Sequence, residues 1–341
     1  MQMSPSPQEK ISVIMPVYNG QDYLETAISS ILHQTWQKWE LIIVDDGSTD
    51  SSIEIIHHQT DDRIRLTQNQ RSKGVAGALN TGLDLATGKY IARMDADDIS
   101  HPERLAKQFT FLEGNPEISI CGCWVHYFGT VRGLWSYPLN DANAKAKLLF
   151  SPPFAHPTVL MKSDVFADGT RYDEDCGYVE DYELWVRLMN RYRFANLPTP
   201  LLEYRLHDQQ VGRRLNAHQK NAIEHIQNKL FTQLGIEPTQ TEQAIHRKLS
   251  SGKPVDNFEE LGIAERWLVT ISKANLDSKV FDQTGLDEIL CQAWWETCHL
   301  ASSMGAKVWT AYRKSQLRVG SSLPKFDELK FAIRCIFGVG V

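Results

Sequence analysis

The chain has 341 residues, of which 42% are hydrophobic and 23% charged, and its formal net charge is −6. This length allows one large domain or two smaller ones, and the acidic balance gives no overall electrostatic footprint for nucleic acid, so no nucleic-acid partner is expected. The six cysteines lack the paired spacing of a zinc site. We see no signal peptide before Ile11 and no apolar run long enough to span a bilayer. We therefore expect a cytoplasmic protein with reduced thiols.

Strand and helix patterns alternate after a lead-in at residues 1–9 that we expect to be disordered. Short β-branched runs end in turn residues, as strands that are buried on both faces do. The predicted strands are residues 11–15, 40–44, 63–66 and 90–94, and the predicted helices lie at 24–32 with Asn19 as candidate N-cap, from about Ser51, and around 75–86. This alternation predicts a doubly wound α/β sheet with ligands at the carboxyl ends of its strands.

The pattern changes in the second half of the chain. A strand at residues 156–161, a helix from about Asp181 and a strand near 201–206 are predicted, and no linker separates them from the first half, so residues 10–215 are assigned to one domain. Beyond about Asn216, helical periodicity dominates, with aromatic residues Trp267, Trp294, Trp295 and Trp309. Residues 216–341 are therefore predicted to form a helical C-terminal subdomain.

Three carboxylates follow the predicted strand at residues 90–94, in the segment DADD. If the strand geometry continues, Asp95 and Asp97 point to the same side, because side chains alternate along a strand. Oxygen ligands of this kind suit Mg²⁺ or Mn²⁺ shared with substrate phosphates. The alternative is a capping cluster for a helix that begins near Pro102.

Two further acidic segments carry candidate functional residues. In VDDGSTD, Asp45 and Asp46 leave a central strand and could accept hydrogen bonds from a base or a ribose, and the alternative is an Asp-Gly turn with a helix cap. In EDYELWVRL, Asp181 lies at a helix N-terminus, where the helix dipole favours an ionised carboxylate that can act as a base. Helix capping is the alternative there too, and His156 and His207 are more typical of structural or surface positions.

Five segments carry a family resemblance. In chain order they are ISVIMPVYNG, ELIIVDDGSTD, the segment from GVAGALNTG to MDADD, HPERL and EDYELWVRL. Together they resemble the family 2 glycosyltransferases, over about residues 10–207. The resemblance implies the GT-A fold, with a mixed, mainly parallel sheet. It also implies transfer of a sugar from a nucleotide diphosphate donor, with inversion at the anomeric carbon and with Mn²⁺ or Mg²⁺ as cofactor.

The resemblance also assigns roles by position. It places nucleotide-sugar binding at Pro16, Tyr18, Asp46, Lys73 and Asp95, metal binding at Asp97, Asp95 and His207, and the catalytic base at Asp181. A UDP-linked hexose or N-acetylhexosamine is the expected donor. The expected acceptor is a saccharide or a lipid-linked molecule of surface polysaccharide synthesis.

Two other classes of function compete with this interpretation. A nucleotidyltransferase would carry a Gly-rich basic loop after the first strand, where this chain has PVYNGQD. A non-catalytic sugar-nucleotide-binding protein would not need Asp46, Asp95, Asp97 and Asp181 together.

The C-terminal segment suggests a membrane contact. Residues 306–341 contain seven Lys or Arg and two acidic residues, interspersed with Phe and Ile. A basic amphipathic end can lie on an anionic bilayer, where lipid-linked acceptors are found. We therefore expect peripheral association with the inner face of the membrane, and the alternative is a helix packed on its own domain.

Overall fold

The structure is a computed structural model, and it describes residues 10–207, 217–318 and 325–338. The predicted lead-in at residues 1–9 and the predicted boundary between residues 215 and 216 lie outside the described residues.

Strands and helices alternate through the first part of the chain, and the part after residue 217 is helical. The strands are β1 (Ile11–Val17), β2 (Trp39–Asp45), β3 (Ile64–Gln68), β4 (Tyr90–Arg93), β5 (Ile99–Ser100), β6 (Ile118–Gly129), β7 (Gly133–Trp135), β8 (Leu160–Lys162) and β9 (Arg193–Leu206). The helices are α1 (Leu24–Leu32), α2 (Ser52–His57), α3 (Val75–Leu85), α4 (Arg104–Gly114), α5 (Asp141–Lys147), α6 (Glu180–Leu188), α7 (Ala217–Gln233), α8 (Gln240–Ser250), α9 (Phe258–Ser278), α10 (Gln283–Leu300), α11 (Ala306–Lys314) and α12 (Lys325–Phe337).

The strands of the described chain form one mixed sheet in the order β3-β2-β1-β4-β8-β6-β9-β5, with β7 paired to β6. The pairs among β1, β2, β3 and β4 are parallel, as is the long pair β6·β9, whereas β8, β5 and β7 pair antiparallel. The predicted doubly wound, mainly parallel sheet is confirmed. Its first four strands end at one edge, where the loops after β1, β2 and β4 lie together.

Two predicted local features are wrong. The first half of the predicted strand at residues 156–161 is a 3₁₀ turn, because Pro157 has no N–H for a strand ladder and Thr158 donates back to the Ala155 carbonyl at 2.9 Å. Asn19 does not cap α1, whose N-cap is Tyr23. Asn19 instead adopts a left-handed backbone conformation and accepts a hydrogen bond from Thr49 N at 2.8 Å, so it ties the loop after β1 to the loop after β2.

The chain divides into two compact units. The first comprises the chain up to Ala144 together with Pro152–Glu224, and the second comprises Lys145–Ser151 together with the chain from His225 onward. In the first unit, the interior is built from both faces of the sheet, with side chains of β1, β2 and β4 buried against α1 and α4.

The second unit is helical, and its interior contains large aromatic side chains. Trp267, Trp294 and Phe331 are fully buried. His246 is hydrogen-bonded to one of them: its Nδ1 accepts from Trp267 Nε1 at 3.1 Å, while its Nε2 donates to the Leu149 carbonyl at 2.8 Å. None of the helices in the described ranges is long and apolar enough to cross a membrane.

Candidate active site

Three carboxylates converge in the turn that follows β4. The strand ends at Arg93, so the expectation that Asp95 and Asp97 would alternate along a continuing strand is wrong. The turn at residues 96–97 brings in Asp98 as well, and ligand oxygens of Asp95, Asp97 and Asp98 all lie within 4.8 Å of one another. These three residues are called the Asp cluster below.

The end of β9 completes the Asp cluster. Strand β5 pairs antiparallel with β9, and Arg205 N donates to Asp98 Oδ1 at 2.9 Å while Arg205 Nε donates to the Asp97 carbonyl at 2.8 Å. Because of this pairing, His207 Nε2 lies 2.9 Å from Asp97 Oδ2. Of the three residues assigned to the metal by resemblance, Asp95 and Asp97 therefore lie in the Asp cluster, and His207 contacts Asp97.

The chemistry of the Asp cluster fits a divalent cation. Asp98 is fully buried, and its Oδ2 has no hydrogen-bond partner among the described residues. Burial, followed by the charges of Asp95 and Asp97, raises the pKa of Asp98 well above its ordinary range, and burial also raises the pKa of Asp95 despite the nearby Arg93. Crowded carboxylates with one imidazole are an oxygen-rich set that Mg²⁺ or Mn²⁺ would neutralise.

The candidate donor-binding residues lie at the carboxyl edge of β1 and β2. Pro16 is in β1, and Tyr18, which follows the strand, is exposed. The Nζ of Lys73 lies 4.9 Å from the centroid of the Tyr18 ring. Asp46 accepts hydrogen bonds from Asn69 Nδ2 at 2.6 Å and Gly74 N at 2.8 Å, so it fixes the loop that carries Lys73.

Two features hold that loop in place. Gly74 has φ +122° and ψ 171°, a conformation that is essentially restricted to glycine, and this orients its N–H toward Asp46. On the far side, Glu174 accepts from Ser72 N at 3.1 Å and from Asn80 Nδ2 at 2.8 Å. The loop between β3 and α3 is thus preorganised beside Tyr18.

A second group of ionisable side chains surrounds the start of α6. The N-cap of α6 is Val179, which has no capping side chain, so Glu180 and Asp181 occupy the first helical turn. Glu180 Oε1 is 3.6 Å from His156 Nδ1, and His156 Nε2 is 3.1 Å from the Tyr172 hydroxyl. Burial raises the pKa of Asp181, which strengthens it as a base.

Arg93 connects the two acidic groups and was missed by the sequence analysis. It is buried and forms an ion pair with Asp95, and its charge also acts on Glu180 and Asp181. An arginine within the apolar run YIARM was the available signal, because a buried arginine needs acidic partners. Asp98 was noticed in the sequence but was not assigned to the metal site.

The structure also bears on the capping alternatives. Helix α4 is preceded by Glu103 without a side-chain cap, so no member of the Asp cluster caps it. In VDDGSTD the two aspartates divide the tasks: Asp45 accepts from Gly47 N and Ser48 N and forms the turn, while Asp46 reaches the Lys73 loop.

Comparison with known proteins agrees with these features. The family model described as "Glycosyl transferase family 2" matches residues 12–168. An uncharacterized glycosyltransferase of Haemophilus influenzae is 32% identical over 236 residues, which cover 65% of this chain and 73% of that protein. The O-antigen biosynthesis glycosyltransferase WbnJ of Escherichia coli is 33% identical over 221 residues, which cover 62% of this chain and 85% of that protein.

The fold also matches a solved structure. S. aureus TarS 1–349 in complex with UDP-GlcNAc superimposes with a TM-score of 0.57 at 16% sequence identity, and the match covers 82% of this chain and 90% of that one. At this identity the likeness concerns the fold.

Proposed function

The chain belongs to the family 2 glycosyltransferases and has the GT-A fold, and on that premise we propose that it transfers a sugar from a nucleoside diphosphate donor to an acceptor hydroxyl with inversion. The observation that carries the proposal is the convergence of the three carboxylates of the Asp cluster, with His207 against Asp97, in a chain that also carries Asp181 in the first turn of α6 as a candidate base. Arg93 and His156 act electrostatically on both Asp95 and Asp181, which supports the proposal that the two carboxylates belong to one site.

The donor nucleotide would bind at the carboxyl edge of β1 and β2. Tyr18 and Lys73 offer an exposed ring and a cation, which suit a base and a diphosphate. Asp46 would keep its bonds to the Lys73 loop and so position that loop. The uridine preference rests on the family and on the UDP-GlcNAc bound by TarS, and a hexose or N-acetylhexosamine is the proposed sugar.

The proposed ligands of Mn²⁺ or Mg²⁺ are Asp97, Asp95 and His207. The fully buried Asp98 lies beside the other two aspartates. When bound, the cation neutralises charge on the departing diphosphate. Arg93 keeps the Asp95 carboxylate oriented through its ion pair. His207 Nε2 and Asp97 contact each other here, and on metal binding both would instead bind the cation. A neutral imidazole nitrogen is a ligand for such ions.

Asp181 would act on the acceptor. Its carboxylate takes the proton from the acceptor hydroxyl while the bond from the sugar to the diphosphate breaks, and the new bond forms on the opposite face of the anomeric carbon. A single displacement needs one base, which is why inversion is proposed. His156 interacts electrostatically with Asp181. Burial lowers the pKa of His156 to about 3, so its ring is neutral at physiological pH and is a weak base. Asp181 is therefore the base in this proposal.

A saccharide or lipid-linked acceptor of surface polysaccharide synthesis is proposed from relatives such as WbnJ, whose name places it in O-antigen biosynthesis.

Helix α12 supports cytoplasmic action at the inner face of a membrane. Phe331 packs at 4.9 Å from the Trp295 ring, but a second apolar face of α12 is 46–74% exposed. The exposed residues are Leu329, Ile333, Ile336 and Phe337. The basic residues of this segment fit an anionic bilayer, which is the occupant we propose for that face.

A thermal-shift panel of nucleotide sugars with and without Mn²⁺ tests the donor proposal. A ligand at 100 times its dissociation constant stabilises the fold by about 2.7 kcal/mol, which gives a clear rise in melting temperature. We expect a UDP-sugar to raise it only when the cation is present. If no nucleoside diphosphate sugar does so, the chain is not the proposed enzyme, and a guanosine or thymidine preference would remove only the uridine assignment.

A further inference from the structure

Three aromatic side chains, called the aromatic cluster below, lie on one face of the sheet beside the Asp cluster. Strand β7 pairs with β6 so that Trp135 faces Val125, and Tyr127 pairs with Tyr204 of β9. The Trp135 ring centroid is 5.0 Å from that of Tyr127 and 5.0 Å from that of Tyr204. The aromatic cluster is therefore Tyr127, Trp135 and Tyr204, with Trp135 in contact with both tyrosines.

The hairpin is shaped to hold these rings. Gly133 lies opposite Tyr127, and a Cβ at this position would come within 2.1 Å of the Tyr127 hydroxyl oxygen. Glycine therefore leaves the space that the Tyr127 ring occupies. Despite its two aromatic neighbours, Trp135 remains 36% exposed, so part of an indole is presented to solvent by a fixed support.

The aromatic cluster adjoins the Asp cluster through Tyr204, and the chain continues from Trp135 to Tyr137, which feels the charge of Asp181. Tyr204 is next to Arg205, whose backbone N–H binds Asp98, and burial together with the three carboxylates of the Asp cluster raises the pKa of the Tyr204 hydroxyl. Two residues beyond Trp135, Tyr137 is held by a hydrogen bond from Trp124 Nε1 to its carbonyl at 3.0 Å. Burial and then the charge of Asp181 raise the pKa of the Tyr137 hydroxyl. The segment from Trp135 to Tyr137 therefore runs from the metal side of the site to the base side.

We propose that Trp135, supported by Tyr127 and Tyr204, binds a pyranose ring of the acceptor, so that the acceptor presents a sugar residue at this site. The inference rests on the proposed glycosyl transfer and specifies its acceptor side. The face of an aromatic ring carries negative potential, which attracts the C–H groups on the apolar face of a pyranose. A rigid indole on the side of the Asp cluster would orient the acceptor ring with one hydroxyl toward Asp181, at little cost in conformational entropy.

The chain supplies a matched control for this proposal. Leu134 lies in the same strand, is 48% exposed and pairs with His126, so it belongs to the opposite face of the hairpin. Leu134→Ala removes an exposed apolar side chain without touching the aromatic cluster. Trp135→Ala removes the indole, and Trp135→Phe keeps an aromatic face.

Saturation-transfer NMR with the methyl pyranosides of glucose, galactose, mannose and N-acetylglucosamine, in the presence of UDP and Mg²⁺, tests the proposal. We expect at least one pyranoside to bind the wild type and Leu134→Ala, with saturation strongest at the protons of one ring face. Trp135→Phe should retain binding, and Trp135→Ala should weaken it by about tenfold.

The rise in melting temperature caused by UDP with Mg²⁺ separates this inference from the proposed function. It should be equal in all four proteins, and its absence in the wild type would count against the donor assignment itself. The acceptor inference is overturned if no pyranoside binds the wild type, if Trp135→Ala binds like the wild type, or if Trp135→Ala also loses the response to UDP.

Discussion

Asp97 and Asp181 act on opposite sides of the bond that breaks, so their loss should separate donor binding from transfer. Asp97→Ala removes a proposed metal ligand, and metal-dependent affinity for the donor should fall by more than about tenfold. Asp181→Asn keeps the shape of the side chain but removes the base, so donor affinity should persist while turnover falls by about 10²–10⁴-fold. Titration calorimetry on both variants makes the comparison. Equal loss of donor affinity in the two variants would show that Asp181 is not simply the base.

The neighbouring residues Asp45 and Asp46 show how far the role of a single side chain can be predicted from a sequence. The motif predicted a polar turn or a ligand-binding carboxylate, and the structure uses Asp45 for the turn and Asp46 for a contact with Gly74. The run YIARM marks Arg93 as an arginine that needs acidic partners, and Asp95 lies two residues away, but its second partner, Glu180, could not be identified from the sequence because it lies nearly 90 residues further along the chain.

His246 predicts a pH dependence of stability. Burial lowers its pKa from 6.5 to about 4 in the folded chain, so the unfolded chain binds a proton that the folded chain does not between these values. The stability from the neutral ring is complete above pH 6.5 and is lost as the pH falls toward 4, with about 2 kcal/mol lost at pH 5.

Urea unfolding of the wild type and of His246→Gln, at pH 7 and pH 5, measures this contribution. Both proteins retain every other titrating group, so the other contributions cancel in the comparison. The wild type should lose about 2 kcal/mol more than the variant between the two pH values. Equal losses would mean that burial does not keep the ring of His246 neutral in the folded chain.

At the scale of elements, strand positions were predictable where the hydrophobic pattern is strong. The parallel strands near residues 11, 40 and 90 were predicted because they are largely apolar and almost wholly buried, whereas the edge strand near residue 64 is only partly buried and was predicted from its alternation with the helices. Strand β6 was not predicted, and only the last part of β9 was. Pro198 and Pro200 interrupt the sequence pattern of β9, and its register with β6 is irregular at those residues, so the tertiary pairing overrides the local signal.

Helix α12 gives the prediction at this scale. Replacing Ile336 and Phe337 by Ser removes the most exposed apolar side chains without touching Phe331 or Cys335, which are buried. Co-sedimentation with vesicles of equal parts phosphatidylglycerol and phosphatidylcholine should show binding of the wild type at low salt and loss of binding in the variant. Each basic residue near the surface contributes about 1 kcal/mol, so salt should weaken the binding of the wild type.

Leu276→Ser is the control, because Leu276 is also exposed and apolar but lies in α9. It should bind vesicles like the wild type. If the wild type stays in the supernatant with anionic vesicles, the exposed face of α12 has another partner, and a soluble acceptor becomes the better proposal.

For the molecule as a whole, the sheet and the site follow from one rule. Parallel strands end at the same edge, so the polar segments after β1, β2 and β4 were expected to meet there. The sequence could not show how the end of β9 returns His207 and Tyr204 to that edge, because this depends on the pairing of β9 with β5 and β6. The meeting of these loops was therefore predictable, whereas His207 and Asp181 were assigned only through the family resemblance and the aromatic cluster was not predicted.

The central claim is that the Asp cluster supports metal-dependent cleavage of a nucleotide sugar, and release of UDP from a UDP-sugar measures it most directly. With Mn²⁺ the wild type should release UDP, slowly to water and faster with an acceptor saccharide. EDTA should stop the release, added Mn²⁺ should restore it, and Asp97→Ala should release little under any of these conditions. Release that continues undiminished in EDTA, or that is equal in Asp97→Ala and the wild type, would contradict the claim.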